Sequence, residues 1–242
     1  MHTRFDLVDV TRDGAVAIVA MNRPDKRNAM SLQLLRELTL ALAEVQHAPD
    51  VRAVVLTGRG AAFCAGADRS PVEGLTGEAL ARAFASIAVD VAHGVAQLML
   101  RIVSMEKPVV GAINGPAVGG GLVLTLGCDL RFLADDATCW MPELGMGRAI
   151  GPPSMATFVA CVGPLVAKDI VLTGRRIGAA EMAALHLVTA VAPAGEVMAQ
   201  ALAAARTLAM HDAHAVATAK ARANASLVAI WSSAAETIDA SK

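Results

Sequence analysis

Asn114-Gly115-Pro116-Ala117-Val118-Gly119-Gly120-Gly121 follows directly on the apolar run Val109-Val110-Gly111-Ala112-Ile113, and this junction decides the fold. A second stretch has the same form. Phe63-Cys64-Ala65-Gly66-Ala67-Asp68 follows Arg52-Ala53-Val54-Val55-Leu56-Thr57. Residues without bulky side chains let the backbone come close to a ligand. Two such loops, converging from two strands, can aim two backbone N–H groups at one oxygen, which is the geometry of an oxyanion hole.

Outward from these loops the chain alternates strands with helices. Phe5–Val10 and Ala15–Met21 predict a hairpin turning at Thr11–Gly14. A charged loop, Asn22 to Asn28, leads to Ser31, a candidate helix N-cap, and Leu34, Leu35, Leu38, Leu42 and Val45 then recur at helical spacing to His47. Residues 78–105 predict one or two amphipathic helices, and 120–127 a short apolar one. Leu130–Ala134 and Thr138–Met141 predict further strands. This order argues for an α/β fold of parallel βαβ units. After residue 151 the pattern turns helical over Ala156–Val162, Pro164–Leu172 and Ala179–Leu187, with a short strand near Val188–Val191. Gly195 to Ala240 is alanine-rich and almost wholly helical. The expected division is a core over 1–194 and a helical region over 195–242, whose apolar faces call for another subunit.

The 242 residues are 55% hydrophobic and carry a net charge of −1, enough for a large core and unlike a nucleic-acid surface. Aromatic residues make up 3% and tyrosine is absent, which argues against a base-stacking platform. Met1–Asp13 lacks the apolar core of a signal peptide. Residues 108–128 hold six glycines, two prolines and Asn114, a poor membrane span. Cys64, Cys128, Cys139 and Cys161 show no Cys-x-x-Cys spacing and read as reduced residues of a cytoplasmic protein. The histidines have no metal-ligand spacing, so no metal is expected.

Taken together, the motifs resemble the crotonase superfamily, the enoyl-CoA hydratase/isomerase family. The matching pieces run in order: Asn22-Arg23-Pro24 with Asn28-Ala29-Met30, Ala65 to Asp68, and Lys107-Pro108-Val109-Val110 leading to Asn114-Gly115 and Gly119 to Gly121. Cys128-Asp129-Leu130-Arg131 and Pro142-Glu143-Leu144-Gly145 complete the set. Their order and spacing carry the resemblance, since context confirms a motif. It implies a crotonase-like spiral of ββα units with a C-terminal helical trimerisation region, a homotrimer or hexamer, and a coenzyme A thioester as substrate with no bound cofactor. By position, Ala65 and Gly120 would supply the oxyanion-hole amides. Lys26, Arg27, Ala29, Gly66, Ala67 and Asp68 would contact substrate, Lys26 and Arg27 near the coenzyme A phosphates.

Hydratases of this family typically carry two glutamates. One is present as Glu143; at the other position stands Val123, which carries no proton. Glu143, set among Trp140, Met141, Leu144 and Met146, is the expected acid/base, its pKa raised by apolar surroundings. Gly147 to Ser154 departs from the family's Pro- and Gly-rich turn. Cys64 reads as a small buried filler rather than a nucleophile, and Asp68 as a cap or turn residue. Asp129 and Arg131 read as structural hydrogen-bonding groups. The competing readings are an enzyme of enoyl-CoA hydration or double-bond isomerisation, and a non-catalytic acyl-CoA-binding protein on the same fold.

Overall fold

Strands rich in apolar residues must be covered on both faces, and one of them is buried along its whole length. This is β3 (Ala53–Gly58), six buried residues in a row. On one side lies β2 (Val16–Met21), on the other β4 (Val109–Ile113), both parallel to it, with Val54 opposite Val109. The antiparallel hairpin partner β1 (Val8–Asp13) forms one edge of the sheet. The turn lies at Gly14–Ala15, later than the predicted 11–14, because Thr11 to Asp13 still pair within β1. The computed structural model describes residues 5–239, so Met1–Arg4 and Ala240–Lys242 of the predicted terminal stretches lie outside the described residues.

Helix α1 (Leu32–His47) begins where Ser31 Oγ accepts the Leu34 N–H at 3.1 Å, and it buries Leu34, Leu35, Leu38, Ala41, Leu42 and Val45 along one face. Its last carbonyls are capped from a distance. Lys107 Nζ donates to Val45 O at 2.7 Å and to Ala48 O at 2.6 Å. The long stretch after the first small-residue loop is a single helix, α2 (Gly77–Ser104).

From β4 the chain leaves the large sheet twice and returns. It forms β5 (Ala117–Val118) and α3 (Gly120–Leu126), then β6 (Leu130–Ala134) beside β4, then β7 (Thr138–Trp140). After α4 (Pro152–Thr173), β8 (Ile177–Gly178) and α5 (Ala179–Ala184), β9 (Ala190–Ala192) closes the other edge. The large sheet runs β1-β2-β3-β4-β6-β9; β5, β7 and β8 make a small second sheet. The two-residue strands β5 and β8 escape periodicity, which needs more than two residues to register.

The two helical segments predicted over 156–162 and 164–172 are both present in α4, as two helices that meet at a kink where Gly163 (φ 75°) is non-helical and Pro164 follows. By length and composition α4 is apolar enough to cross a membrane, but neither half reaches the roughly 20 residues a span needs. Of the C-terminal helices, α6 (Val197–Met210) packs on β2, β3, β4 and β6 through buried Val197, Ala201 and Ala205. Helix α7 (Ala213–Ala223) is pinned by Lys220. Its buried Nζ donates to Ile102 O at 2.9 Å and Lys107 O at 3.0 Å, and pairs with Asp129 at 2.8 Å. Helix α8 (Ala225–Asp239) covers α2 and α4, with Trp231 buried.

Candidate functional site

Adjacent parallel strands β3 and β4 end side by side, so the loops that follow them leave the sheet at the same carboxyl edge, where α/β sheets place their ligands. Asn114 ties the two loop bases together. Its Oδ1 accepts from Gly58 N at 3.2 Å and its Nδ2 donates to Gly60 O at 2.9 Å. Further out, Cys64 N donates to Pro116 O at 3.2 Å and Val118 N to Cys64 O at 2.9 Å.

The first loop is also stitched along residues 27–30. Ala65 N donates to Arg27 O at 3.0 Å, Met30 N to Gly66 O at 2.7 Å, and Asp68 N to Met30 O at 3.1 Å. The Ala65 N–H, expected from the sequence as an oxyanion-hole donor, is thus paired with the Arg27 carbonyl within the fold. The peptide before Ala67 is different. Its carbonyl, Gly66 O, points at Met30, and in a trans peptide the N–H points the opposite way. The Ala67 N–H therefore faces away from residues 27–30 and has no hydrogen-bond partner among the described residues. Gly66 permits this turn with φ +83°.

The triple-glycine turn repeats the arrangement. Gly119 N donates to Trp140 O at 2.9 Å, while Gly119 O accepts from Val123 N at 3.0 Å inside α3. The peptide between Gly119 and Gly120 thus directs the Gly120 N–H outward, without a partner among the described residues. A methyl group placed on Gly66 would lie 3.9 Å from Gly120 N, so the two loops touch at this point.

Glu143 reaches the same turn from beyond β7. A methyl group on Gly119 would lie 2.5 Å from Glu143 Oε1, which places the carboxylate directly over the Gly119 backbone. Its Oε2 is buried and has no hydrogen-bond partner. Burial pushes the Glu143 pKa up, partly opposed by its own backbone and by the positive charge of Arg148. The apolar neighbours named from the sequence are not the whole cause, because Leu144 and Met146 are exposed. Val123 is buried in α3.

A groove of about 550 Å³ opens on the first loop; its wall includes Lys26, Ala29, Ala65, Ala67, Asp68 and the apolar Val72 and Leu80. Gly120, Arg27 and Glu143 are not part of that wall. Arg27 is exposed beside Lys26. A second groove of about 420 Å³ lies at the end of α1, away from both loops. Asp68 is held rather than free: Ser70 N donates to it at 2.9 Å and Arg23 at 2.6 Å. Burial raises its pKa, but these two partners outweigh that and hold it low. Cys64 is fully buried, with its thiol pushed up to about 12 by burial, in keeping with a filler. Among the described residues no group of three or more His, Cys, Asp or Glu could hold a metal ion.

Sequence reading missed three contributors. The Ala67 donor shows only through the hydrogen bonds around it, although Gly66 marks the turn that frees it. Asn28 is buried at a positive φ of 55° and pins the loop, accepting from Arg23 N at 2.9 Å and donating to Ala62 O at 2.8 Å. Lys220 is a buried tie between α7 and the sheet rather than an exposed charge.

Known proteins share this architecture. The enoyl-CoA hydratase/isomerase family model matches residues 11–239. A putative enoyl-CoA hydratase of Thermus thermophilus is 39% identical over 198 residues, 81% of this chain and 75% of that protein. The crystal structure of an enoyl-CoA hydratase from Mycobacterium avium subsp. paratuberculosis superposes with a TM-score of 0.85 at 27% identity, covering 98% of this chain and 93% of that one. A monofunctional enoyl CoA isomerase from M. smegmatis gives 0.76 at 26% identity, covering 93% and 94%. The mixed sheet with its excursions is the crotonase fold. By sequence match over nearly its whole length and by architecture, the chain belongs to the enoyl-CoA hydratase/isomerase family.

Proposed function

We propose that the chain moves the double bond of an enoyl-CoA, with the thioester oxygen on the amides of Ala67 and Gly120 and Glu143 as the single acid/base. The observation that carries this reading is the half-buried Glu143 carboxylate, with Oε1 over the Gly119 backbone and Oε2 partnerless, at the turn whose next residue, Gly120, has an unpaired N–H. Removing a proton next to a thioester carbonyl develops negative charge on its oxygen. Two preplaced amides stabilise that charge without reorganising, each worth about 3 kcal/mol. A carboxylate with a raised pKa is the stronger base for C2 of a 3-enoyl thioester, and the acid so formed returns the proton at C4. The product is the 2-enoyl thioester, and Glu143 ends ionised as it began.

Hydration by two carboxylates requires a second acid, and Val123 occupies its position. That same residue favours a second reading, acyl-CoA binding without turnover. Lys26 and Arg27, exposed beside the groove, suit the coenzyme A phosphates in either case. A side-by-side assay of 3-enoyl-CoA isomerisation and crotonyl-CoA hydration, on wild type and Glu143→Gln, tests the ranking. Isomerisation should exceed hydration, and the variant should lose both. Efficient hydration without isomerisation rejects the ranking; tight binding with no turnover of any enoyl-CoA supports the binding protein.

A further inference from the structure

Gly119 is pinned on both sides of its Cα. Its N–H is held by Trp140 O at 2.9 Å and its carbonyl by Val123 N at 3.0 Å. Its φ of 53° and ψ of −121° form a backbone state that L side chains rarely adopt. The space where a side chain would stand is filled by another residue. A Cβ there would lie 2.5 Å from Glu143 Oε1, 3.5 Å from Glu143 Cδ and 3.8 Å from Pro142 Cδ. Real Cβ atoms essentially never show contacts under 3.0 Å, so with a side chain at 119 something must shift, and the free end of the Glu143 side chain is the part that gives most cheaply.

We propose that Gly119 is the positioning residue for Glu143: its bare Cα is the seat that holds the carboxylate one residue from the Gly120 amide. This rests on the assignment of Glu143 as the acid/base. The backbone at 119 is fixed by β7 on one side and α3 on the other, so the seat is rigid. The Glu143 carboxylate makes no hydrogen bond through Oε2 that would otherwise orient it. Its orientation then rests on packing against the glycine and on the positive charge of Arg148, the charged group that acts on it. Any side chain at 119 pushes Oε1 off the turn and away from the carbon beside the oxyanion amide. Misplacement by about 1 Å costs on the order of 100-fold in rate.

The test is a double-mutant cycle with Gly119→Ala and Glu143→Asp, read by kcat, KM and the pH profile of kcat. Gly119→Ala should lower kcat about 100-fold with little change in KM. Its acidic limb should move to lower pH, because the displaced carboxylate is rehydrated. Aspartate is one methylene shorter and clears the new Cβ. The double variant should therefore lose much less than the product of the two single losses. Unchanged kcat and pH profile in a folded Gly119→Ala overturn the proposal, and so do multiplicative losses in the cycle. Should the alanine variant fail to fold, a crystal structure of the wild type decides: the carboxylate lies in van der Waals contact with Gly119 Cα, or the proposal falls. Full activity of Glu143→Gln would instead reject the acid/base assignment and the positioning role with it.

Discussion

Arg23 and Asp68 form one clamp across the site loop. A single guanidinium nitrogen of Arg23 donates to Asp68 Oδ2 at 2.6 Å and to the Ala29 carbonyl at 3.0 Å. Both side chains are largely buried, at 17% and 8% exposure, so water screens the pair weakly. The clamp holds the segment of Ala29 and the loop of Ala67 together. Asp68→Asn keeps the acceptor for Ser70 N and loses the charge opposite Arg23. It should cost about 1.5–3 kcal/mol. The Asp68 pKa is held below its ordinary 3.8, so its contribution is present above that value and is lost as pH falls through the lower native one. Thermal melts of wild type and variant should therefore differ at pH 7 and converge under strong acid.

Glu143 has the opposite sign. Its pKa lies above the ordinary 4.5, so the native state holds this proton more tightly than the unfolded chain does. The stabilisation from the neutral form is complete below 4.5 and is lost as pH rises through the native value. Glu143→Gln should therefore melt no lower than wild type at pH 7 while losing turnover. A variant that is both inactive and strongly destabilised at pH 7 would contradict this account.

The committed amide of Ala65 and the outward amide of Ala67 give a direct structural expectation. In a complex with an acyl-CoA, the thioester oxygen should lie within about 3.5 Å of Ala67 N and Gly120 N. The bond from Ala65 N to Arg27 O should remain. A thioester oxygen on Ala65 N, with that bond broken, would restore the assignment read from the loop sequence.

Lys220 closes a buried knot far along the chain from its partners. Removing it leaves Asp129 and the carbonyls of Ile102 and Lys107 without their cation. Lys220→Met should destabilise by about 3–5 kcal/mol, measured by chemical denaturation. The folded fraction should keep its KM, because no atom of the knot lies in the groove wall.

Leu165 and Leu172 on α4 are 80% and 62% exposed, and Met210 at the end of α6 is 78% exposed. Apolar surface of this kind on a largely exposed helix calls for a cover. We expect a trimer or a dimer of trimers, measured by light scattering. A stable monomer at micromolar concentration would contradict it.

The order of strands and helices was legible in the sequence because each long element carries its own period. The leucines of α1 and the unbroken apolar runs of β3 and β4 need no partner to be read. So were the two small-residue loops and Glu143, since composition and motif order mark them. Which amide is free was not legible. Ala65 and Ala67 are identical residues two apart, and only the bond that Ala65 N donates to Arg27 O and the one that Gly66 O accepts from Met30 N, with partners more than thirty residues earlier, tell them apart. The burial of Asn28 and Lys220, the two-residue strands and the contact of Glu143 with Gly119 likewise depend on groups distant in the chain. Local sequence sets what a segment prefers to be; tertiary packing decides which of its polar groups remain unpaired, and those are the groups left to act on a ligand.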